Sequence, residues 1–401
     1  MKIAIVVPGR FHGFDLARAL SPNHEVVVFT NYPKWAARRF GLADHQVRSF
    51  WIHGIASRLA DRISGKLGVT CHEAGLHKMF GRWAAVELLR EDWDVVHSFS
   101  GVSHEVMSAI AGRPTLRIVV RGSSHIRTQA RILEEEERRT GRHVDRPSRW
   151  KIAREESEYA RADRIVVLSS FARESFLSEG VSPERISLLQ LGASVDGFRP
   201  QAGVVEERCR RILSGEPLRI LQVGTLSLRK GFWDIPEIVN AFEPGKFRFR
   251  FVGPVLPEVR SLIAGLRHKA DFVPKQRQDL LREQYLWGDL FLFPTLEDGF
   301  AVVLAQAATA VLPILTTSHS AGTDLVRDGE TGFVLPIRSP ASFVDKLKWC
   351  DTHRKELAEM VKRINKEFRP RDWSDVAADF DRIVSLALEE VRQAKPAFLH
   401  N

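Results

Sequence analysis

The stretch that decides the fold is PTLEDGFAVVLAQAATAVLPILTT, Pro294 to Thr317. It places a carboxylate, Asp298, directly before Gly299 where a helix is expected to begin, between the apolar runs Leu290 to Phe293 and Pro313 to Thr316. Gln306 follows eight residues after Asp298. At about 100° per residue, positions i and i+8 lie two turns apart and roughly 80° apart around the axis, so both can face one cleft. A helix start offers unpaired amides to a diphosphate. Asp298 can accept from sugar hydroxyls, and Gln306 can bond a ribose without adding a second negative charge. The plainer alternative is a buried face of Leu296, Phe300, Val303, Leu304 and Ala307 with a polar cap before it.

Outward from this stretch, short apolar runs alternate with amphipathic segments. Ile3 to Val7, Glu25 to Thr30, Asp94 to His97, Leu116 to Arg121 and Arg164 to Ser169 read as strands of one parallel sheet. After a polar stretch of low expected order, about Asp196 to Pro217, the rhythm restarts with Arg219 to Val223, Phe247 to Val252, Leu290 to Phe293, Pro313 to Thr316 and Gly332 to Leu335. The fold class is therefore α/β, with two doubly wound Rossmann-like domains, and the ligand site is expected in the cleft beyond the carboxyl ends of the strands. Gly turns follow the first strand of each half. Pro8 to Phe14 includes Gly9, Arg10, His12 and Gly13, while LQVGTLSLRKG, Leu221 to Gly231, brings Gly224 and Thr225 before the adjacent cations Arg229 and Lys230. Cations at such a turn suit a diphosphate, Lys230 as a compact charge and Arg229 as a planar fork.

These residues together resemble the signature of the retaining family-4 glycosyltransferases, usually Glu-Gly-Phe-Gly with a second Glu eight residues after the first. Asp298 stands for the first Glu and Gln306 for the second, with Gly299, Phe300, Ala301, Val302 and Val303 between or beside them. The family Lys matches Lys230, the family Arg falls on Thr225, and Arg229 is its substitute. The resemblance implies the GT-B architecture: residues 1–198 an acceptor-binding domain, 199–370 a donor-binding domain, and 371–401 a helix crossing back to the first. It implies that the Gly13 loop lies over the diphosphate, and that Gly253, Val273, Pro274 and Lys275 lie by the nucleotide base. It also implies a His near the donor sugar, here His125 after Arg121-Gly122-Ser123-Ser124, with Arg121, Ser124, Arg10 and His12 as acceptor contacts. Glu158 to Asp163 is similar to the family's E-x-x-A-D passage, and Gly192 to Pro200 to its interdomain turn.

Composition bounds the rest. The chain has 401 residues, 44% hydrophobic and 27% charged, as in soluble globular proteins. Cys71, Cys209 and Cys350 lie far apart, which excludes a disulfide framework or a paired-cysteine zinc site and suits the cytoplasm. The opening run MKIAIVVP reads as a buried strand rather than an address, and no stretch reaches the roughly 18 apolar residues of a spanning helix. The net charge of +9 falls mostly in residues 1–200. An anionic membrane face or a phosphorylated acceptor suits that excess, whereas no zinc finger or aromatic-rich basic repeat supports nucleic acid as a partner. Between Trp51 and Leu89, the apolar positions Ile52, Ile55, Leu59, Ile63, Leu67, Leu76, Met79, Phe80 and Trp83 run beside Arg58, Arg62, Lys66, Lys78 and Arg82. They read either as a helix pair on a membrane surface or as helices packed on the sheet. The charge run Glu134 to Arg139 reads as a solvated helix face. Asp92-Trp93-Asp94 and Asp379-Phe380-Asp381 fall on surface positions, so no metal and no cofactor other than the sugar donor is expected.

The expected activity is metal-independent, retaining transfer of a sugar from a nucleoside diphosphate sugar to a hydroxyl of a glycan, lipid-linked or small-molecule acceptor. The alternatives are a GT-B nucleotide-sugar epimerase or phosphorylase, and a nucleotide-sugar binding protein without catalysis.

Overall fold

A computed structural model describes residues 1–67, 73–192 and 197–394, with side chains at 61–67 and 391–394 excepted. Cys71, the turn residues Ala193 to Asp196, and the side chains of Arg62, Ile63, Lys66 and Leu67 lie outside that description. Two all-parallel sheets form the frame. The first has seven strands, β1 Lys2–Val7, β2 Glu25–Thr30, β3 Val47–Ser49, β4 Val95–Phe99, β5 Leu116–Arg121, β6 Arg164–Val167 and β7 Ile186–Leu188, in the order β3-β2-β1-β4-β5-β6-β7. The second has six, β8 Leu218–Val223, β9 Phe247–Val252, β10 Ala270–Val273, β11 Leu290–Phe293, β12 Ile314–Thr317 and β13 Gly332–Leu335, ordered β10-β9-β8-β11-β12-β13. The central strands read as unbroken apolar runs because helices cover both faces of each sheet. Ile3 to Val7 and Leu290 to Phe293 are accordingly buried at every position.

Both orders reverse once, between β1 and β4 in the first sheet and between β8 and β11 in the second. Loops leaving a reversal point diverge and open a crevice at the strand ends. The four loops that follow these strands are those carrying Gly9 and His12, Ser100, Gly224 and Lys230, and Asp298. All four line one cleft.

The stretch before β8 departs from expectation: Ala202–Leu213 is a helix that buries Val205, Cys209 and Ile212. Its Arg208 is buried and donates to the carbonyls of Ala310 (2.7 Å) and Val311 (2.9 Å), so its many cations concealed an amphipathic core element. The charge run Glu134 to Arg139 is likewise corrected. It lies on the helix Ile126–Thr140 at the seam between the sheets, where Glu136 is fully buried. Arg338 donates to Glu135 (2.9 Å) and Glu136 (3.0 Å), and Arg139 to Asp234 (2.8 Å).

The helix Trp373–Ala394 packs Val376, Ala377, Phe380 and Val384 into the same core as Phe14, Leu16, Ala17 and Leu20 of the helix Gly13–Leu20. It thus carries the end of the chain back onto the first sheet. Glu158 explains the E-x-x-A-D passage: its carboxylate accepts the amides of Gly101 (2.7 Å) and Ser103 (2.9 Å), while Asp163 pairs with Arg117 (2.6 Å). The carboxylates of both Asp-x-Asp pairs serve local contacts, Asp94 with the Lys2 amide (2.7 Å), Asp92 with Arg113 (3.3 Å) and Asp381 with His24 (2.9 Å). Among the described residues no group of three or more His, Cys, Asp or Glu could hold a metal ion, and no helix is long and apolar enough to cross a membrane.

Candidate functional site

A cavity of about 1070 Å³ separates the two sheets. Its second-sheet wall is built by two loops locked together. Ser227 accepts the Lys230 amide (3.3 Å) and starts a short 3-10 turn, Leu228–Lys230, which ends at Gly231 with φ +73°. A Cβ on Gly231 would sit 1.8 Å from the Pro294 carbonyl, so only glycine lets the Lys230 turn press on the Asp298 loop. The Leu296 amide then donates to the Arg229 carbonyl at 3.0 Å.

This juxtaposition pairs two adjacent cations with two adjacent carboxylates. The Lys230 ammonium donates to Asp298 Oδ2, and the Arg229 guanidinium pairs with Glu297 Oε2 at 2.7 Å. Burial lowers the Lys230 ammonium from its ordinary value, against the opposing pull of Asp298. The other Asp298 oxygen, Oδ1, accepts the amides of Phe300 (3.2 Å) and Ala301 (2.8 Å). Asp298 therefore shapes the loop as well as facing the cleft. Ala301 sits at φ +59°, in the left-handed region, directly before the helix Val302–Thr309. The family signature has Gly at this position, a third departure within that signature. The first amides of that helix, Val302 and Val303, have no intrahelical acceptor and line the cavity.

Glu297 was not singled out from sequence, and it organises the seam. Fully buried, it receives the Ser124 amide and the Ser124 hydroxyl on Oε1, both at 2.9 Å, and the Gln129 amide on Oε2 at 3.0 Å. Ser124 and Gln129 belong to the first domain, so one carboxylate clasps both halves. Burial alone would raise this acid, but the Arg229 charge, the Ser124 amide and Lys230 outweigh it and hold it down at about 2. Arg229 also reaches Ser123 Oγ (2.8 Å). The readable signal was the matched order of Arg229-Lys230 and Glu297-Asp298.

The first-domain wall differs from expectation at three residues. His125 caps the helix Ile126–Thr140, its Nδ1 accepting the Arg127 amide (3.3 Å), and its ring packs on Tyr159 (5.2 Å) and Phe176 (4.8 Å). The ring is turned into the helical layer rather than toward a donor sugar. Ser124 is spent on Glu297 and does not line the cavity. Arg10 pairs with Asp15 (3.3 Å) and lies over the Phe40 ring (4.1 Å), also off the cavity wall. A strand end followed by small residues does not say which residues reach the cavity, and here the Gly122 backbone and Ser123 do.

Arg121 does reach the cleft, held by Glu155 (3.0 Å) and Gln129 (2.7 Å). His12 lines it as well, its buried Nε2 without a partner among the described residues, and burial pushes its pKa down to about 4. Gly13 is buried just behind the wall, where a Cβ would touch Val7 and Phe99. Gly224 lines the cavity, with Thr225 beside it. Gly253 donates its amide to the Val273 carbonyl (3.0 Å) at the ends of β9 and β10, and none of Gly253, Val273, Pro274 and Lys275 lines the cavity. Gln306, one turn beyond Val302, accepts the Tyr285 hydroxyl at 2.9 Å. Unlike Asp298 it does not line the cavity, although among the described residues its amide NH2 has no partner and could donate where Glu would only accept.

Two facing Rossmann-like sheets with a cleft floored by both reversal-point loops define the GT-B class of glycosyltransferases. A family model described as Glycosyltransferase Family 4 matches residues 11–196, and one described as Glycosyl transferases group 1 matches residues 217–351. The chain belongs to this glycosyltransferase family. Sulfoquinovosyl transferase SQD2 of Arabidopsis thaliana is 24% identical over 295 residues, 72% of this chain and 55% of that protein. D-inositol 3-phosphate glycosyltransferase of Acidothermus cellulolyticus is 28% identical over 282 residues, 64% of this chain and 60% of its own. The chain thus spans roughly half the length of the curated relatives it matches. Among solved structures, sucrose-phosphate synthase of Thermosynechococcus elongatus superposes with a TM-score of 0.68 at 15% identity, covering 98% of this chain and 99% of that one. HepE of Anabaena in complex with UDP gives 0.67 at 14% identity, covering 96% and 100%. At such identities the likeness is one of fold.

Proposed function

We propose that this chain transfers a sugar from a nucleoside diphosphate sugar to an acceptor hydroxyl, with retention at the anomeric carbon and without a metal ion. The observation that carries the proposal is the Lys230–Asp298 pair on the cleft floor beside the open amides of Val302 and Val303. Two cations and a helix start stabilise a departing diphosphate without a divalent ion. The anomeric C–O bond to the diphosphate breaks while the acceptor oxygen bonds to the same face of that carbon. The acceptor's proton passes to the leaving phosphate oxygen, a front-face reaction in which developing positive charge on the sugar lies beside Asp298. The free NH2 of Gln306, one turn behind the cavity wall at Val302, is the group left for the ribose. Because the solved structures of HepE contain UDP, and one contains UDP-glucose, UDP-hexoses head the list of donors to try.

The acceptor is a hydroxyl of a glycan, a lipid-linked sugar or a small molecule, received between Arg121, His12 and the first-domain wall. The test is the proton NMR spectrum of the product formed with an α-linked UDP-sugar in the presence of EDTA. An α-linked product at undiminished rate supports the proposal. A β-linked product, or abolition by EDTA reversed by Mg²⁺ or Mn²⁺, contradicts it. Conversion of the donor to an epimer, or release of sugar phosphate from a disaccharide and phosphate, would instead assign one of the other GT-B chemistries.

A further inference from the structure

The helix Trp51–Leu67 has two unlike faces. One face puts His53, Gly54, Ser57 and Arg58 into the wall of the cleft at its first-domain end. The other leaves Trp51, Ile52, Ile55 and Leu59 between 49% and 59% exposed. Positions 51, 55 and 59 recur at helical spacing, so these side chains form a continuous outward stripe with Ile52 at its edge. Soluble surfaces scatter single apolar side chains, and a contiguous stripe of large ones marks an interaction face. The next helix, Glu73–Leu88, joins through the His53 Nε2 contact to the Leu76 carbonyl (3.0 Å) and the Phe50–Trp83 ring stack (5.2 Å). It adds exposed Met79 and Val86, with Leu89 just beyond.

The exposed charges described around this face have one sign. Arg58, Lys78 and Arg82 are exposed and have no carboxylate partner among the described residues. Of the acids of these two helices, Glu73 is committed to Lys151 (2.7 Å) and Glu87 to Arg90 (3.0 Å), while the Asp61 side chain lies outside the described residues. Exposed apolar side chains among cations that have no carboxylate partner among the described residues complement a surface that is apolar beneath and anionic above. We infer that this helix pair docks the first domain on an anionic lipid bilayer. Docking there sets the cleft end lined by His53, Ser57 and Arg58 beside the membrane. The docking itself does not depend on which sugar is transferred.

Flotation with vesicles of phosphatidylcholine, with and without phosphatidylglycerol, tests the inference, and it is run without any donor. The protein floats with the phosphatidylglycerol vesicles at low salt, stays behind with pure phosphatidylcholine, and is released by high salt. The variant Trp51→Ser/Ile55→Ser/Leu59→Ser and the variant Lys78→Glu/Arg82→Glu each weaken flotation by about tenfold or more. Both keep the wild-type melting temperature and the wild-type thermal shift with UDP, so loss of docking is separable from loss of the nucleotide site. Absence of flotation with phosphatidylglycerol at low salt overturns the inference, as does flotation of both variants at the wild-type level. Light scattering that shows a dimer dissociated by the triple serine variant also overturns it, assigning the stripe to a second copy of the chain.

Discussion

Replacing Glu297 by Gln tests how the two domains are held. Four donors converge on this carboxylate: the Ser124 amide and hydroxyl on one oxygen, and Gln129 and Arg229 on the other. A glutamine keeps one oxygen and turns the other into an NH2, so either orientation sets two donors against a donor. Removing one member of a buried ion pair costs about 3–5 kcal/mol. The acidity gives a second route to the magnitude. A carboxyl held at about 2, against an ordinary value near 4.3, corresponds to roughly 3 kcal/mol in favour of the charged form. Arg229 is 35% exposed in its side chain, so water relieves part of the loss and the lower end, about 3 kcal/mol, is the expected cost. Because the carboxylate clasps both domains, the molecule can yield by opening the cleft as well as by unfolding. Glu297→Gln is therefore examined by urea unfolding and by small-angle scattering together. A loss of stability of this size, or an increased radius of gyration, is expected. A variant that unfolds within about 0.5 kcal/mol of wild type, an ordinary surface effect, at an unchanged radius would refute the clasp. The sign in pH follows: this stabilisation is complete above the unfolded carboxylate pKa and is lost as pH falls toward 2.

Three further outcomes are expected. Ala301→Gly relieves a left-handed alanine and should raise stability by about 0.5–1 kcal/mol in thermal unfolding, because only glycine adopts that conformation without penalty. Gly299→Ala places a Cβ 2.2 Å from the Gly122 carbonyl of the other domain, and should cost about 1–3 kcal/mol or widen the cleft by scattering. His12 and His97, pushed by burial down to about 4 and about 3, stay neutral in the fold but protonate near 6.5 when unfolded. Stability should therefore fall as pH drops below 6.5, by up to about 2 kcal/mol per histidine at pH 5. Melting curves at pH 7 and pH 5 check this, and His97→Leu should flatten the dependence.

The central strands were legible because burial on both faces makes them unbroken apolar runs. Of the four edge strands, Val47–Ser49, Ile186–Leu188 and Ala270–Val273, short and with a neighbour on one side only, were not, while Gly332–Leu335 was. The two loops carrying Lys230 and Asp298 were legible because glycines, cations and an acid fall at fixed offsets. Orientation was harder to read. His125, Ser124 and Arg10 occupy loops at the cleft, yet each turns to a partner from a distant segment: Tyr159, Glu297 and Phe40. Glu297 was concealed by its neighbour, since nothing local shows that one of two adjacent acids faces the other domain. The charge run at Glu136 read as solvated because its partners Arg338 and Asp234 lie far along the chain.

The measurement that bears most directly on the central claim is donor binding by wild type and Lys230→Gln, by thermal shift across UDP-, GDP- and ADP-sugars. A ligand at 100 times its dissociation constant stabilises the folded state by about 2.7 kcal/mol. The wild type should therefore melt distinctly higher with at least one donor. Lys230→Gln, which removes the charge without setting a second carboxylate against Asp298, should fold and lose that shift. An equal shift in both proteins, or no shift with any nucleotide sugar in the wild type, would contradict the assignment of this cleft.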